Sequence, residues 1–436
     1  MSNPEPGDSA TPKRSRIRVW LPPAVVVSLL MALLATMYLA YVVDPSKHLH
    51  GFPIALVNQD TGDTLAGQPA NVGKQISDAL VQQVPSDKID LRVLGINAAQ
   101  QQLTSGNVYG AIVIPSDFTK RLGIFATAGV IPGDVSQPMI TVYTNPRTGS
   151  FSPQVVQSVA GSALAQANTT VGDQLTKAVL AQLQSAGGTP APQLTGLSKL
   201  MLAKPIEVSV VPFRPLPAGT GGGLTAFFYT MMVLLAGFTG AMVINGMVDS
   251  SLGFAPTEFG PWYLHYPASP ISRLNTLLLK WAVITGVAPV ASGIFMAIGH
   301  GLGMPIDRPL MLFLYSTFAI VAVGVTALSI VSALGTLGLL VNLILFIVLG
   351  LPSSGGTIPI EAIPKSVARL ADFEPMHQVY LGIRSILYFN ADGSAGLSRA
   401  VWMTLLGLAI GLTLGAVVTR YYDRKELHRA PSTPRA

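Results

Sequence analysis

Two kinds of hydrophobic pattern divide the chain. In the first, apolar residues run on with no polar face. Residues 19–43, between Arg18 and Asp44, carry no charge, and similar runs occupy 224–248, 275–299 and 400–419. A bilayer core takes about 20 apolar residues per helix, so each run predicts one transmembrane helix. From Pro309 to Ile360 there is again no charge. At about 1.5 Å per residue, the apolar part of that run, to about Gly350, is too long for one crossing. It predicts two helices, 309–331 and 333–351, with a tight turn near Ser332 to Thr336. The expected fold is a polytopic α-helical membrane protein with six transmembrane helices. A secretory signal has an apolar core of about 7–15 residues. The first run is longer and lacks a small-x-small cleavage site, so it reads as an uncleaved anchor.

The second pattern fills residues 44–223, which read as an α/β extracytoplasmic domain between helices 1 and 2. Runs rich in β-branched residues at 54–58, 88–94, 109–115, 139–144 and 205–211 predict strands. Val72, Ile76, Ala79, Leu80 and Val84 recur at helical spacing and predict a helix over 72–84. Residues 97–105 predict a short helix with Asn97 as N-cap and Gly106 just past its end. Residues 152–185, Ala- and Gln-rich, read as one helix or a helix pair, followed by the punctuation GGTPAPQ (187–193). PLPAGTGGG (215–223) reads as the hinge into helix 2. After helix 5, residues 352–399 alternate short helical stretches with Pro and Gly and predict a broken outer hairpin.

Composition sharpens this picture. Half of the 436 residues are hydrophobic and 11% are charged, against about 25% charged in soluble domains. The absence of cysteine excludes a disulfide framework, a thiolate metal site and a cysteine nucleophile. The net charge is +6, and its excess sits at the ends: Lys13, Arg14, Arg16 and Arg18 before the first run, Arg420, Arg424, Lys425, Arg429 and Arg435 after the last. Basic residues that flank apolar segments follow the positive-inside bias and do not form a nucleic-acid face, so no nucleic acid partner is expected. The basic N-terminus (1–18) and tail (421–436) are therefore expected on the cytoplasmic side of a cell membrane. Lys280, near the start of helix 3, has a stem long enough to snorkel to the interface.

The search for chemistry excludes more than it finds. Gly67 to Gln75 reads GQPANVGKQ, one residue too long for a phosphate loop and with Gln75 where Ser or Thr should hold Mg²⁺. The six His residues (48, 50, 265, 300, 377, 428) form no ligand set, and His48 with His50 reads better as interfacial polarity than as a ligand pair. Ser353 and Ser354 lie outside any G-x-S-x-G elbow. No catalytic, cofactor-binding or metal-ligating residue is expected in this chain.

Two regions invite a functional reading. The connection between helices 2 and 3 clusters Phe254, Phe259, Trp262, Tyr263 and Tyr266 with Glu258, His265 and Arg273. Such a cluster suits a protein interface or an aromatic belt at the headgroups. The outer hairpin holds Pro352, Ser353, Ser354, Gly355, Gly356, Pro359, Pro364, Pro375 and Arg384, where Pro375 should break a helix and the glycines should turn the chain. Within the spans Asn245 and Asn342 either line a pathway or hydrogen-bond between helices. Gly407, Gly411 and Gly415 put small residues every fourth position of helix 6, a packing signal.

One anchor, an outer α/β domain, five more spans and a broken hairpin before the last span resemble the permease subunit of type-2 ABC exporters. IALVNQDTG (54–62) with YGAIVIPSDFTKRL (109–122), and PSSGGTIPIEAIP (352–364) with PMHQVYLGIR (375–384), are similar to stretches of the YhgE/Pip (phage-infection-protein) group. The resemblance implies a dimer of permeases or a pairing with a sister permease, set among membrane lipid. It implies a separate cytoplasmic ATPase, holding the ATP, docked on the helix 2–3 connection. Drugs, lipids and polysaccharides are exported in the broad family. The expected function is export of an amphipathic, drug-like or lipid-like substrate. Its rival is a non-transporting surface protein, a phage receptor or secretion accessory, acting through the outer domain.

Overall fold

The computed structural model describes residues 16–65, 67–128, 136–185, 196–427 and 429. The expected punctuation at 187–193, Lys13, Arg14, His428 and Arg435 lie outside the described residues. The chain starts with α1 (Arg16–Val42), whose apolar stretch lies exposed along its length. It then enters the α/β region.

There the elements follow in order: β1 (Phe52–Asn58), β2 (Asp63–Leu65), β3 (Gln68–Ala70), α2 (Val72–Gln83), β4 (Ile89–Val93) and α3 (Ile96–Ser105). Next come β5 (Gly110–Ile114), α4 (Phe118–Ala128), β6 (Met139–Thr144), α5 (Ser152–Ser185), α6 (Gly196–Ala203) and β7 (Glu207–Pro212). Among the described residues the five expected strands form one sheet, ordered β4-β1-β5-β6-β7. Only β5 and β6 pair antiparallel. A largely parallel sheet is covered on both faces, and β1 shows this residue by residue. Phe52, Ile54 and Leu56 join the core under α2, α4 and α5, while Ala55 and Val57 pack on the other face with Ala99 and Leu103 of α3. That split is the period-2 alternation of a strand. Residues 152–185 form one long helix, α5.

The start of α3 departs from expectation. Asn97 is the helix's second residue, and Gly95 stands in the cap position with no side-chain bond. The chain passes from β4 into the helix through Leu94 and Gly95 alone, so the helix begins before Asn97 can cap it. Its end agrees: Gly106 adopts φ 70°, the left-handed conformation that closes a helix.

After Gly221, Gly222 and Gly223, all at positive φ, the helical part begins. It comprises α7 (Leu224–Ser251), the strands β8 (Thr257–Phe259) and β9 (Trp262–Leu264), α8 (Arg273–Gly301), α9 (Pro309–Leu334), α10 (Leu337–Leu343) and α11 (Gly350–Ser353). It ends with α12 (Lys365–Ala368), α13 (Pro375–Tyr388) and α14 (Leu397–Arg424). Among the described residues five helices are long and apolar enough to cross a membrane: α1, α7, α8, α9 and α14. This is the architecture of a multi-pass membrane protein.

The segment expected as a sixth span is different. Residues 337–353 break into α10, a π-helical turn over Ile344–Val348, and α11. Its 17 residues reach about 26 Å, short of a bilayer core of about 30 Å. Gly338 is pressed against Ile330 and Val331 of α9, and Pro352 falls within α11. α9 is the most buried of the long helices and lies at the centre of the bundle. Small residues let neighbours approach it: Gly237 faces Val323, Gly411 faces Thr326, and Gly415 faces Ser329. A Cβ at Gly407 would meet nothing.

The helical turns before Pro375 end at Asp372, as expected of a proline break, and Pro375 itself starts the next helix. It is the first residue of α13, where a missing N–H costs nothing and φ is already helical. α13 is buried on nearly every face, against α7, α9 and α14.

Candidate functional site

Three clusters deserve a chemical reading, and the first is the connection between α7 and α8. It folds as an antiparallel hairpin, Glu258 opposite Tyr263 and Phe259 opposite Trp262. Phe259, Trp262, Tyr263 and Tyr266 are exposed, Trp262 at 72%. Glu258 is exposed beside them, and His265 meets the Gly253 carbonyl at 3.3 Å. The hairpin form was missed in the sequence. Its signal was the two-residue turn Gly260–Pro261 between two aromatic triplets, with Gly260 at φ 58°.

At the root of that hairpin lies the second cluster. Asp249 of α7 accepts from Lys280 Nζ at 2.6 Å and from the Arg429 guanidinium at 2.7 Å. Lys280 also donates to Asn245 at 2.8 Å and is wholly buried. It was expected to reach for the interface; a carboxylate 31 residues away in sequence keeps it inside. Arg429 stacks over Phe254 at 5.3 Å. From α14, Asp423 accepts the backbone N–H groups of Arg273 and Leu274 at 2.8 and 3.0 Å. The Arg273 side chain, over the Tyr422 ring, donates to Leu427 O at 2.6 Å. The tail after α14 is thus clasped to both ends of the connection.

The third cluster is the turn that leads into α13. Gly355 takes φ 71°, and a Cβ on Gly356 would strike the Phe227 ring of α7. Ser353 and Ser354 are buried, their hydroxyls donating to Leu349 O at 2.7 Å and Leu351 O at 2.8 Å. The fold brings an acid and an imidazole near them. Glu374 caps α13 by accepting from the N–H groups of Met376 and His377 at 2.8 and 2.9 Å. The His377 ring meets the Ser354 carbonyl at 2.8 Å, and not its hydroxyl. Among the described residues no serine–imidazole hydrogen bond, the geometry of a histidine-activated nucleophile, is formed. Pro359 and Pro364 stand just before the short helical turns at 360–362 and 365–368.

Below this turn an apolar cavity of about 180 Å³ opens between α9, α13 and α14, lined among others by Phe346, Phe373, Gln378, Val379 and Thr404. Asn342, fully buried on α10, donates to Ala327 O of α9 at 2.9 Å. It and Asn245 therefore both make interhelical hydrogen bonds, and neither lines this cavity.

α13 also carries the contacts to the α/β region. Arg384, 9% exposed, lies between the Tyr380 and Phe389 rings and donates to Thr148 O at 3.4 Å. Arg147 donates to Tyr388 O at 2.6 Å. Tyr109 donates to the Glu361 carboxylate at 2.7 Å, and the His50 N–H to the Glu361 carbonyl at 2.8 Å. Burial raises the Glu361 carboxyl above its ordinary value of 4.5, the Tyr109 hydrogen bond opposing the shift.

The family description "Protein of unknown function (DUF3533)" matches residues 24–406. The chain belongs to this family. The match takes in the α/β region, the broken segment and α13 as one unit, and stops within α14 before Asp423 and Arg429. In DUF3533 terms the tail clasp therefore joins a residue of the matched core, Asp249, to a segment beyond it. Among solved structures, a crystal structure described as "a domain of a putative ABC type-2 transporter from Thermotoga maritima MSB8" is 18% identical. It covers 37% of this chain and 85% of that one, with a TM-score of 0.23. No curated protein sequence matches.

Proposed function

We propose that this DUF3533 chain is the permease subunit of an ABC-type exporter, moving an amphipathic, drug-like or lipid-like substrate out of the cytoplasm or inner leaflet. The observation that carries the reading is the broken segment 337–353 together with α13, packed inside the bundle beside the apolar cavity. Broken helices at membrane depth persist where protein or a cavity covers them, and transporters build substrate paths from them. The cavity's lining, apolar with Gln378 and Thr404 as hydrogen-bonding groups, suits an amphipathic guest. In this reading 337–353 and the turn that follows it together complete a sixth crossing, both termini are cytoplasmic and the α/β region is outside. The permease works as a dimer or with a sister subunit. The chain carries no phosphate loop, so ATP is hydrolysed on a separate ATPase. The exposed face of Phe259, Trp262 and Tyr263, with Glu258 beside it, is its dock.

The test is efflux of a fluorescent amphiphile from cells carrying the full chain, Ala322→Phe, or a deletion of residues 60–200. Ala322 lines the cavity, and the added ring fills it. Efflux by the full chain and its loss in Ala322→Phe support export. A full chain that never changes efflux, while the deletion abolishes phage adsorption or secretion, overturns it in favour of the rival surface role.

A further inference from the structure

A second cavity, of about 330 Å³, opens where the α/β region meets the turn between α13 and α14. Its walls include Arg147, Phe213 and Arg214 from one side and Phe389, Asn390 and Asp392 from the other. Unlike the cavity below the hairpin, its lining is mostly polar and carries two guanidinium groups. Arg147 is tied by Nε to Arg214 O at 3.0 Å and by another nitrogen to Tyr388 O at 2.6 Å. Its third nitrogen has no partner among the described residues. Arg214 is exposed, with its guanidinium 5.5 Å from the Phe213 ring centre.

Neither arginine forms an ion pair among the described residues. Asp392 lines the same cavity, but one of its carboxylate oxygens already accepts from Ser394 N and Oγ at 2.8 and 2.9 Å. Asp307 is close enough to favour the Arg147 charge; burial, and then the charge of Arg214, act against it. Two like charges are therefore held at one cavity without a direct ion pair, with the Asp392 carboxylate and Asp307 close by. The backbone supports the same conclusion. Four non-glycine residues take positive φ among the described residues, and two of them, Arg214 and Asn390, line this cavity. Strained conformations of this kind cluster at ligand clamps.

We propose that this cavity binds a phosphate group between Arg147 and Arg214. Two guanidinium groups on one wall of the cavity match the several oxygens of a phosphate through charge-assisted hydrogen bonds. The Phe213 and Phe389 rings give an apolar wall for whatever carries the phosphate. A bound phosphate bridges the α/β region to the α13–α14 turn and fixes the one against the other. Binding here does not depend on export. The phosphate is either that of a lipid headgroup or free in solution, and the two sources are separable.

The experiment is calorimetric titration of the full chain in a neutral detergent, first with inorganic phosphate and then with dihexanoyl phosphatidic acid. The wild type binds, and binding weakens as salt rises because exposed charges are screened. Arg214→Gln weakens it about tenfold or more, and its unliganded melting temperature stays that of the wild type because the side chain is exposed and bonds to nothing. Arg147→Lys, which keeps the charge but loses the fork, weakens binding less than Arg214→Gln. Phosphatidic acid binding about tenfold tighter than phosphate assigns a lipid headgroup; equal affinities assign free phosphate. The proposal is overturned if the wild type binds neither probe, or if Arg214→Gln binds phosphate as the wild type does.

Discussion

The two ends of the helical bundle handle charge in opposite ways. At the tail end charges are matched: Asp249 sits between Lys280 and Arg429, and the Asp423 carboxylate closes the start of α8. At the sheet-bearing end the two arginines that join the bundle to the α/β region are held by carbonyl oxygens instead, Arg384 by Thr148 and Arg147 by Arg214 and Tyr388, while Arg399 nearby pairs with Asp372. The carboxylates there meet uncharged donors as well, Glu361 a tyrosine hydroxyl and Glu374 the N–H groups of Met376 and His377. A buried ion pair specifies one geometry, because losing either partner strands a charge. A carbonyl leaves the arginine's charge uncancelled and available to a ligand. The tail end is therefore built as a latch and the sheet-bearing end as a seam.

The sharpest way to break this contrast is Asp249→Asn. It strands the wholly buried Lys280 and half-buried Arg429 and costs about 3 kcal/mol or more, read as loss of thermal stability in detergent. A variant as stable as the wild type removes the latch. Next is Gly356→Val at the sheet-bearing end. Its Cβ meets the Phe227 ring, and overpacking costs about 1–3 kcal/mol. The same melting experiment checks it, and membrane insertion should survive; an unchanged melting temperature shows that the turn yields.

The smallest effect belongs to Glu361→Gln, and it sharpens the contrast through pH. The Glu361 carboxyl is raised by burial above 4.5, so the folded state prefers it protonated. Its contribution is fully present below about pH 4.5 and is lost as pH rises through the raised value. Glu361→Gln should flatten that decline in a series of melts from pH 4 to 8. A wild-type stability that rises over the same range contradicts the assignment.

Much of the architecture was legible because its signals are local. The five β-branched runs became the five strands of the sheet, and five of the six expected spans became long helices with ends within about five residues of expectation. The broken segment was not legible, since nothing in ILFIV (344–348) announces a π-helical turn; it arises where α10 is pressed on α9. The aromatic cluster between α7 and α8 could be picked out residue by residue. The partnerships could not, because Lys280 meets Asp249 and Arg147 meets Tyr388 across long stretches of sequence. Arg384 reads as part of an outer hairpin and proved to be buried between two rings, and Glu374 caps α13.

The proposed function turns on ATP-driven export through this chain. Its most direct test is the purified chain, with whatever ATPase accompanies it from the membrane, reconstituted in vesicles with a fluorescent amphiphile. The predicted result is movement of the amphiphile that needs ATP, is lost in Ala322→Phe, and is lost together with the accompanying ATPase in Trp262→Ala. Movement that proceeds equally without ATP, or that neither substitution changes, would contradict the claim.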